Sequence, residues 1–181
     1  MSFRTVISLV LAAVTFLGAL PLSAQRVYAE GRAGVSVGHH IPSFAGLKPN
    51  PGDAISGTVG LRLFSAAYAF ATYAQTSFTC EGGFCEGLEV DIVSRDILTG
   101  ILIQPARSHW FRAALGQHRS DVVTLDAQSQ GPDLRGYELA GGLQLGIGRF
   151  IGITPGIFYR NQFGEERTAI LGADLGVKIQ Y

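Results

Sequence analysis

Past its first 25 positions this chain of 181 residues has no long hydrophobic run, although 47% of its residues are hydrophobic and its mean hydropathy is +0.26. A membrane-spanning helix needs about 20 predominantly apolar residues, and the longest later stretch, 97–103, is far shorter. Charge is scarce as well, at 15% of residues, with 14 Lys+Arg offset by 14 Asp+Glu. That neutrality gives no electrostatic case for binding nucleic acid. Cysteine is almost missing: only Cys80 and Cys85 occur, with no histidine close by in sequence. Two thiols alone make a poor metal site, so no metal and no cofactor is expected. In an oxidising compartment a pair this close reads as a disulfide, with metal binding the competing reading. These shortages leave one way to live in a membrane, because only helices and closed β-barrels satisfy their backbone polar groups in lipid.

What is present is alternation. From Ala169 the odd positions read Ala169, Leu171, Ala173, Leu175, Val177, Ile179 and Tyr181, against Gly172, Asp174, Gly176, Lys178 and Gln180, with Ile170 the one break in the polar phase. Successive strand side chains point to opposite faces, so this is a strand with one apolar and one polar face. About a dozen residues exceeds the usual globular strand of 5 or 6, whereas about 9–11 tilted residues cross a bilayer.

The same pattern predicts seven earlier strands: 28–38, 55–64, 68–78, 95–104, 110–118, 137–147 and 151–160. The phase of the fourth is undetermined, since Ile97, Leu98, Ile101, Leu102 and Ile103 are apolar on both sides, and Leu88, Val90 and Ile92 would extend it through a bulge. Pro155, in the seventh, cannot donate to a ladder, which predicts a bulge or a missing bond. Links between strands run long, short, long, short, long, short, long. The long ones are 39–53, 79–94, 119–134 and, smallest of the four, 161–167, so three long loops share one end. That order was no input to the strand assignments, and it matches barrels with short turns on one side of the membrane and long loops on the other. Aromatic residues fall at strand ends, with Tyr28, Phe64, Tyr68, Trp110, Phe150 and Tyr181 at one level and Phe78, Tyr137 and Tyr159 at the other. Two girdles are expected.

Residues 1–24 have the layout of a secretory leader: Arg4, an apolar region over 6–20, then a breaker with small residues. Cleavage after Ala24 would leave a single domain, 25–181. Leu22 is large for the third position before that cut, so cleavage after Ala29 stays open.

On strand pattern, loop order and the terminal aromatic, the stretch 27–181 resembles the small eight-stranded outer-membrane barrels of the OmpX, OmpA transmembrane-domain and opacity-protein type. The resemblance implies an all-β, eight-stranded antiparallel up-and-down transmembrane β-barrel in the outer membrane of a Gram-negative bacterium. It further implies a monomer surrounded by lipid and lipopolysaccharide. Assembly would pass through the barrel-assembly machinery, read from Val177, Ile179 and Tyr181, and an extracellular ligand would meet the loops.

The inward phase collects Glu30, Arg32, Arg62, Arg112, Glu138, Arg160, Asp174 and Lys178. Closure would make the first and last strands neighbours, so Glu30 and Arg32 are expected to meet Asp174 and Lys178. An eight-stranded interior is only wide enough for side chains to fill. A structural charge network is the favoured reading and a gated ion path the alternative. His118, Ser120 and Asp121 form an H-x-S-D run similar to the His/Ser pair of the PagL-like lipid A deacylases, in which a histidine base activates a serine. A lipid-facing site needs the outward phase, and His118 falls in the inward one. The expectation is therefore a non-enzymatic surface-interaction barrel with a plugged polar interior.

Overall fold

The structure is a computed structural model that describes residues 27–40, 48–49, 51–81, 90–106, 108–124, 128–147, 150–163 and 169–180. The expected leader, Cys85, Tyr181 and the Cys80 side chain lie outside the described residues, and with them the disulfide.

Eight long strands make the barrel: β1 (Val27–His40), β2 (Gly52–Phe64), β3 (Ala67–Glu81), β4 (Val90–Ala106), β5 (His109–Thr124), β6 (Gln128–Leu143, continued by Leu145–Ile147), β7 (Ile151–Gln162) and β8 (Ala169–Gln180). Each pairs antiparallel with the next, and β8 returns to β1 in a ladder from Tyr28↔Gln180 to Gly38↔Ile170. The sheet is closed, so no backbone edge is left through the body of the barrel. A two-residue stretch, Lys48–Pro49, pairs with Glu81 and Cys80 of β3.

Alternation decides which side each residue takes. On β8, Leu171, Leu175 and Val177 are exposed while Gly172, Gly176 and Lys178 are buried. Around the outside, Val35, Ile97, Leu115 (64% exposed) and Ile157 stand free. So much contiguous apolar surface far exceeds the patches that water-soluble monomers tolerate.

Several sequence expectations change. The ladder between β3 and β4 runs unbroken from Ala67↔Ile103 to Cys80↔Val90, so β4 extends up to Val90 without the expected bulge, and its one shift of register lies at the opposite end, between Ile103 and Ala106 against β5; the hydrogen bonds of a continuous pair hold a stretch whose hydropathy alone has no period. The expected loop 119–134 is largely paired hairpin, through Arg119↔Asp133 and Val123↔Gln128, with one irregularity opposite Ser120. The aromatic girdles are thinner than expected. Phe64 and Phe150 face out, but Tyr28, Tyr68, Phe78 and Trp110 are buried inside, because a narrow lumen takes bulky rings where polar partners are few.

The interior is accordingly not purely ionic. One apolar cluster joins Tyr28, Tyr68, Phe70, Leu98, Leu102 and Ala114 toward the end with the Ser65–Ala66 turn. A second joins Ala54, Phe78, Ile92, Phe158 and Ile170 toward the other end, which explains why Ile170 departs from its strand's polar phase.

Pro155 behaves as its chemistry dictates. The ladder to β8 passes through Leu175↔Pro155, whereas pairing with β6 lapses between Gly142↔Gly156 and Leu145↔Ile153 without any shift of register. Leu143 is the residue opposite Pro155, and its carbonyl accepts instead from Trp110 Nε1 at 3.0 Å. Gly142 and Gly156 make room for that ring: a Cβ would fall 2.9 Å and 2.5 Å from its Cζ2.

Candidate functional site inside the barrel

Between the two apolar clusters the inward side chains form connected polar groups. Toward the short turns, Arg32 of β1 donates to Glu30 at 2.9 Å, to Asp174 of β8 at 2.7 Å and to the Thr154 carbonyl of β7 at 2.8 Å. Thr154 also bonds Glu30. The Arg32 guanidinium lies 4.4 Å from the Trp110 ring centroid, a cation–π contact that fixes the indole from above. Arg32 and Asp174 therefore meet across the barrel's seam as the inward phase of β1 and β8 requires.

Higher up, Glu138 of β6 sits between two arginines. Arg160 Nε donates to its Oε2 at 2.6 Å, and Arg112 Nε lies 2.7 Å from its Oε1. Arg112 is further flanked by Phe70 and Trp110, each 5.8 Å away. Arg160 continues to Asp96 Oδ2 at 3.4 Å and Thr76 at 3.3 Å. Among the described inward residues, Arg32, Arg112, Arg160 and Lys178 balance Glu30, Asp96, Glu138 and Asp174, so the charges cancel within the lumen. Burying ions is favourable only when they are paired and hydrogen-bonded.

Two residues leave the expected network. Arg62 is at the turn end and donates to the Ser65 carbonyl at 2.8 Å, since its long side chain reaches solvent there. Among the described residues Lys178 takes no carboxylate; Glu30, opposite it in register, is held by Arg32 and Thr154. The ammonium turns to the amide oxygens of Gln144 (3.3 Å) and Gln104 (3.4 Å), against the rings of Tyr28 and Tyr68.

The upper part holds the H-x-S-D residues. His118 Nε2 is 2.8 Å from Ser120 Oγ and 3.0 Å from Ser94 Oγ, and its Nδ1 is 2.5 Å from Asp96 Oδ1. With a carboxylate on Nδ1, that nitrogen carries the proton and Nε2 accepts from a hydroxyl. Asp121 is not part of this group, being on the outward side with Arg95 and, at 3.2 Å, Arg119. Asp96 was missed from sequence because its phase on β4 also carries Leu98 and Leu102. Pairing Asp96↔His118 makes the link, and no local pattern encodes it.

No family model matches the chain, and no curated protein matches it in sequence. Solved structures do. Neisserial surface protein A superposes with a TM-score of 0.62 at 12% identity, covering 87% of this chain and 97% of that one. This chain has the fold of the small eight-stranded outer-membrane barrels. Ail, the attachment invasion locus protein of Yersinia pestis, gives 0.55 at 11% identity, covering 88% of this chain and all of that one. It has also been solved with the heparin analogue sucrose octasulfate. The outer membrane protein OprG of Pseudomonas aeruginosa gives 0.51 at 10%, covering 87% and 95%. At these identities the likeness is one of architecture, and the barrel's interior chemistry has to be read from its own residues.

Proposed function

We propose that the protein is a monomeric barrel of the bacterial outer membrane, exported with residues 1–24 as its leader, that offers its long-link end as a contact surface outside the cell. Its role is contact and not conduction. The observation that carries this reading is how many inward side chains are buried against one another: two apolar clusters share the lumen with the Arg32–Glu30–Asp174 and Arg112–Glu138–Arg160–Asp96 groups, which supports a plugged interior. The exposed apolar belt supports a lipid surround, lipopolysaccharide included. Val177 and Ile179 lie on that belt, and with Tyr181 they form the segment assigned to the assembly machinery. Cleavage after Ala24 keeps Tyr28, which is wholly buried against Tyr68, whereas cleavage after Ala29 would remove it. Cys80 and Cys85 are assigned a disulfide at the contact end.

Two measurements test this. Purified protein in detergent should run differently on gels before and after boiling, and identical mobility would remove the barrel. Reconstituted in planar bilayers, the folded form should give no large steady conductance; a stable open level would make the pore the better reading. The partner outside has to match an extended wall, since β4, β5 and β6 carry paired strand to Val90, Thr124 and Gln128.

A further inference from the structure

We infer that Ser120, His118 and Asp96 form a hydrolytic site in the upper lumen, one that cleaves small water-borne carboxylic esters. The inference stands apart from the contact role and departs from the expectation of no enzyme.

Three observations carry it. First, the hydrogen bonds run in the order a nucleophilic serine needs: Ser120 Oγ to His118 Nε2 at 2.8 Å, then His118 Nδ1 to Asp96 Oδ1 at 2.5 Å. These residues come from two strands, β4 and β5, of a rigid closed sheet. Second, Asp96 is itself fixed from the far side by Arg160 at 3.4 Å, so the imidazole is oriented by a carboxylate that is held in place. Third, Gln162, buried on β7, has an amide nitrogen with no partner among the described residues, and it lines a small cavity with Asp96, His118 and Arg160 on the imidazole side of the group, Ser120 not being among the lining residues. Ser94 Oγ, 3.0 Å from His118 Nε2 and 3.5 Å from Ser120 Oγ, adds a second hydroxyl. Ser94 is fully buried while Ser120 is partly exposed, which makes Ser120 the nucleophile.

The chemistry balances with water as the only co-reactant. Ser120 Oγ attacks the ester carbon as His118 Nε2 takes its proton; the C–O bond to the alcohol breaks, and the alcohol leaves with that proton. Water then attacks the acyl-serine and gives a proton to Nε2. Ser120 departs from the acyl carbon and recovers the proton, releasing the carboxylic acid. Substrate size follows from position. His118 points into the lumen, and the outward positions beside it are Gln117 and Arg119, so an acyl chain lying in the membrane does not reach the serine. Ser120 is the partly exposed member of the group, so the ester it would meet is a short one arriving in water at the long-link end.

The test uses the full barrel in detergent, with its folding checked on unboiled gels. A small alkyl fluorophosphonate should add once, with loss of fluoride, and peptide mass spectrometry should place the adduct on Ser120. Hydrolysis of p-nitrophenyl acetate should exceed that of p-nitrophenyl palmitate, and should fall on the order of 10²-fold or more in Ser120→Ala and in His118→Gln. Asp96 acts as a positioning residue, so Asp96→Asn should lower kcat while KM holds. Folded wild-type protein that takes up no phosphonate, or takes it up on Ser94 or elsewhere, overturns the inference. So does turnover that persists in Ser120→Ala. The adduct site in the wild type needs no variant, so a variant that fails to fold does not blunt the test.

Discussion

Glu138→Ala is expected to lower the barrel's unfolding stability by about 3–5 kcal/mol, the cost of breaking a buried ion pair by removing one partner. Glu138 has no exposed surface, and its two oxygens serve two different arginines. Removing it affects them unequally. Arg160 keeps Asp96 and Thr76. Arg112 has no other carboxylate within salt-bridge distance among the described residues, and it is left against the faces of Phe70 and Trp110. Glu138→Gln should fall in between, because an amide oxygen still accepts from Arg160 but no longer neutralises a charge. Asp174→Ala should cost less than Glu138→Ala, since Arg32 retains Glu30 and the Thr154 carbonyl. Urea titration of the folded protein in lipid vesicles gives the three differences. A Glu138→Ala midpoint equal to that of the wild type would mean the lumen charges are solvated in place, and the filled interior would have to be given up. Against a total stability of about 5–15 kcal/mol for a typical domain, the expected loss is large.

The sequence made the sheet's topology readable because lipid and lumen impose opposite demands on neighbouring residues. β8 and β6 follow a two-residue period with little exception, and their faces in the structure are the ones their side chains announce. β4 was opaque for a physical reason: Leu98 and Leu102 face inward to pack with Tyr28 and Tyr68, so both of its sides are apolar. That ambiguity hid Asp96 and, with it, the third member of the His118 group. Ring direction was equally hard to foresee. Trp110 and Phe111 are adjacent aromatics at one strand end, yet Trp110 is buried and Phe111 exposed. Strand phase distinguishes them, while a rule that aromatics gather at interfaces does not. The height of the β5–β6 hairpin was obscured because residues 119–134 are polar on both faces, as paired strands can be once they stand clear of lipid.

Trp110→Ala is the second variant expected to cost about 3–5 kcal/mol, the usual price of deleting a large buried aromatic. The indole fills a niche between Gly142, Gly156 and Arg32, and it carries the hydrogen bond that Pro155 cannot supply to Leu143. The two parts can be separated. Trp110→Phe keeps much of the ring but removes the Nε1 donor, and should cost about 1 kcal/mol for the hydrogen bond, beyond any loss of fit. Pro155→Val restores an N–H opposite Leu143 without changing the outward, apolar position. In the wild type that new donor finds a carbonyl already served by Trp110. In the Trp110→Phe background it finds one without a donor. Pro155→Val should therefore be more favourable by about 1 kcal/mol when Trp110 is phenylalanine than when it is tryptophan, a coupling that a double-mutant cycle of unfolding free energies measures directly. Strict additivity would show that the indole is held by packing alone and that the gap in the β6–β7 ladder is indifferent to it. The predicted coupling requires one further condition, that Leu143 directs its carbonyl toward β7. The backbone supplies it: the next residue, Gln144, donates its N–H the other way, to the Ser108 carbonyl at 2.9 Å, and successive residues of a strand alternate between neighbours.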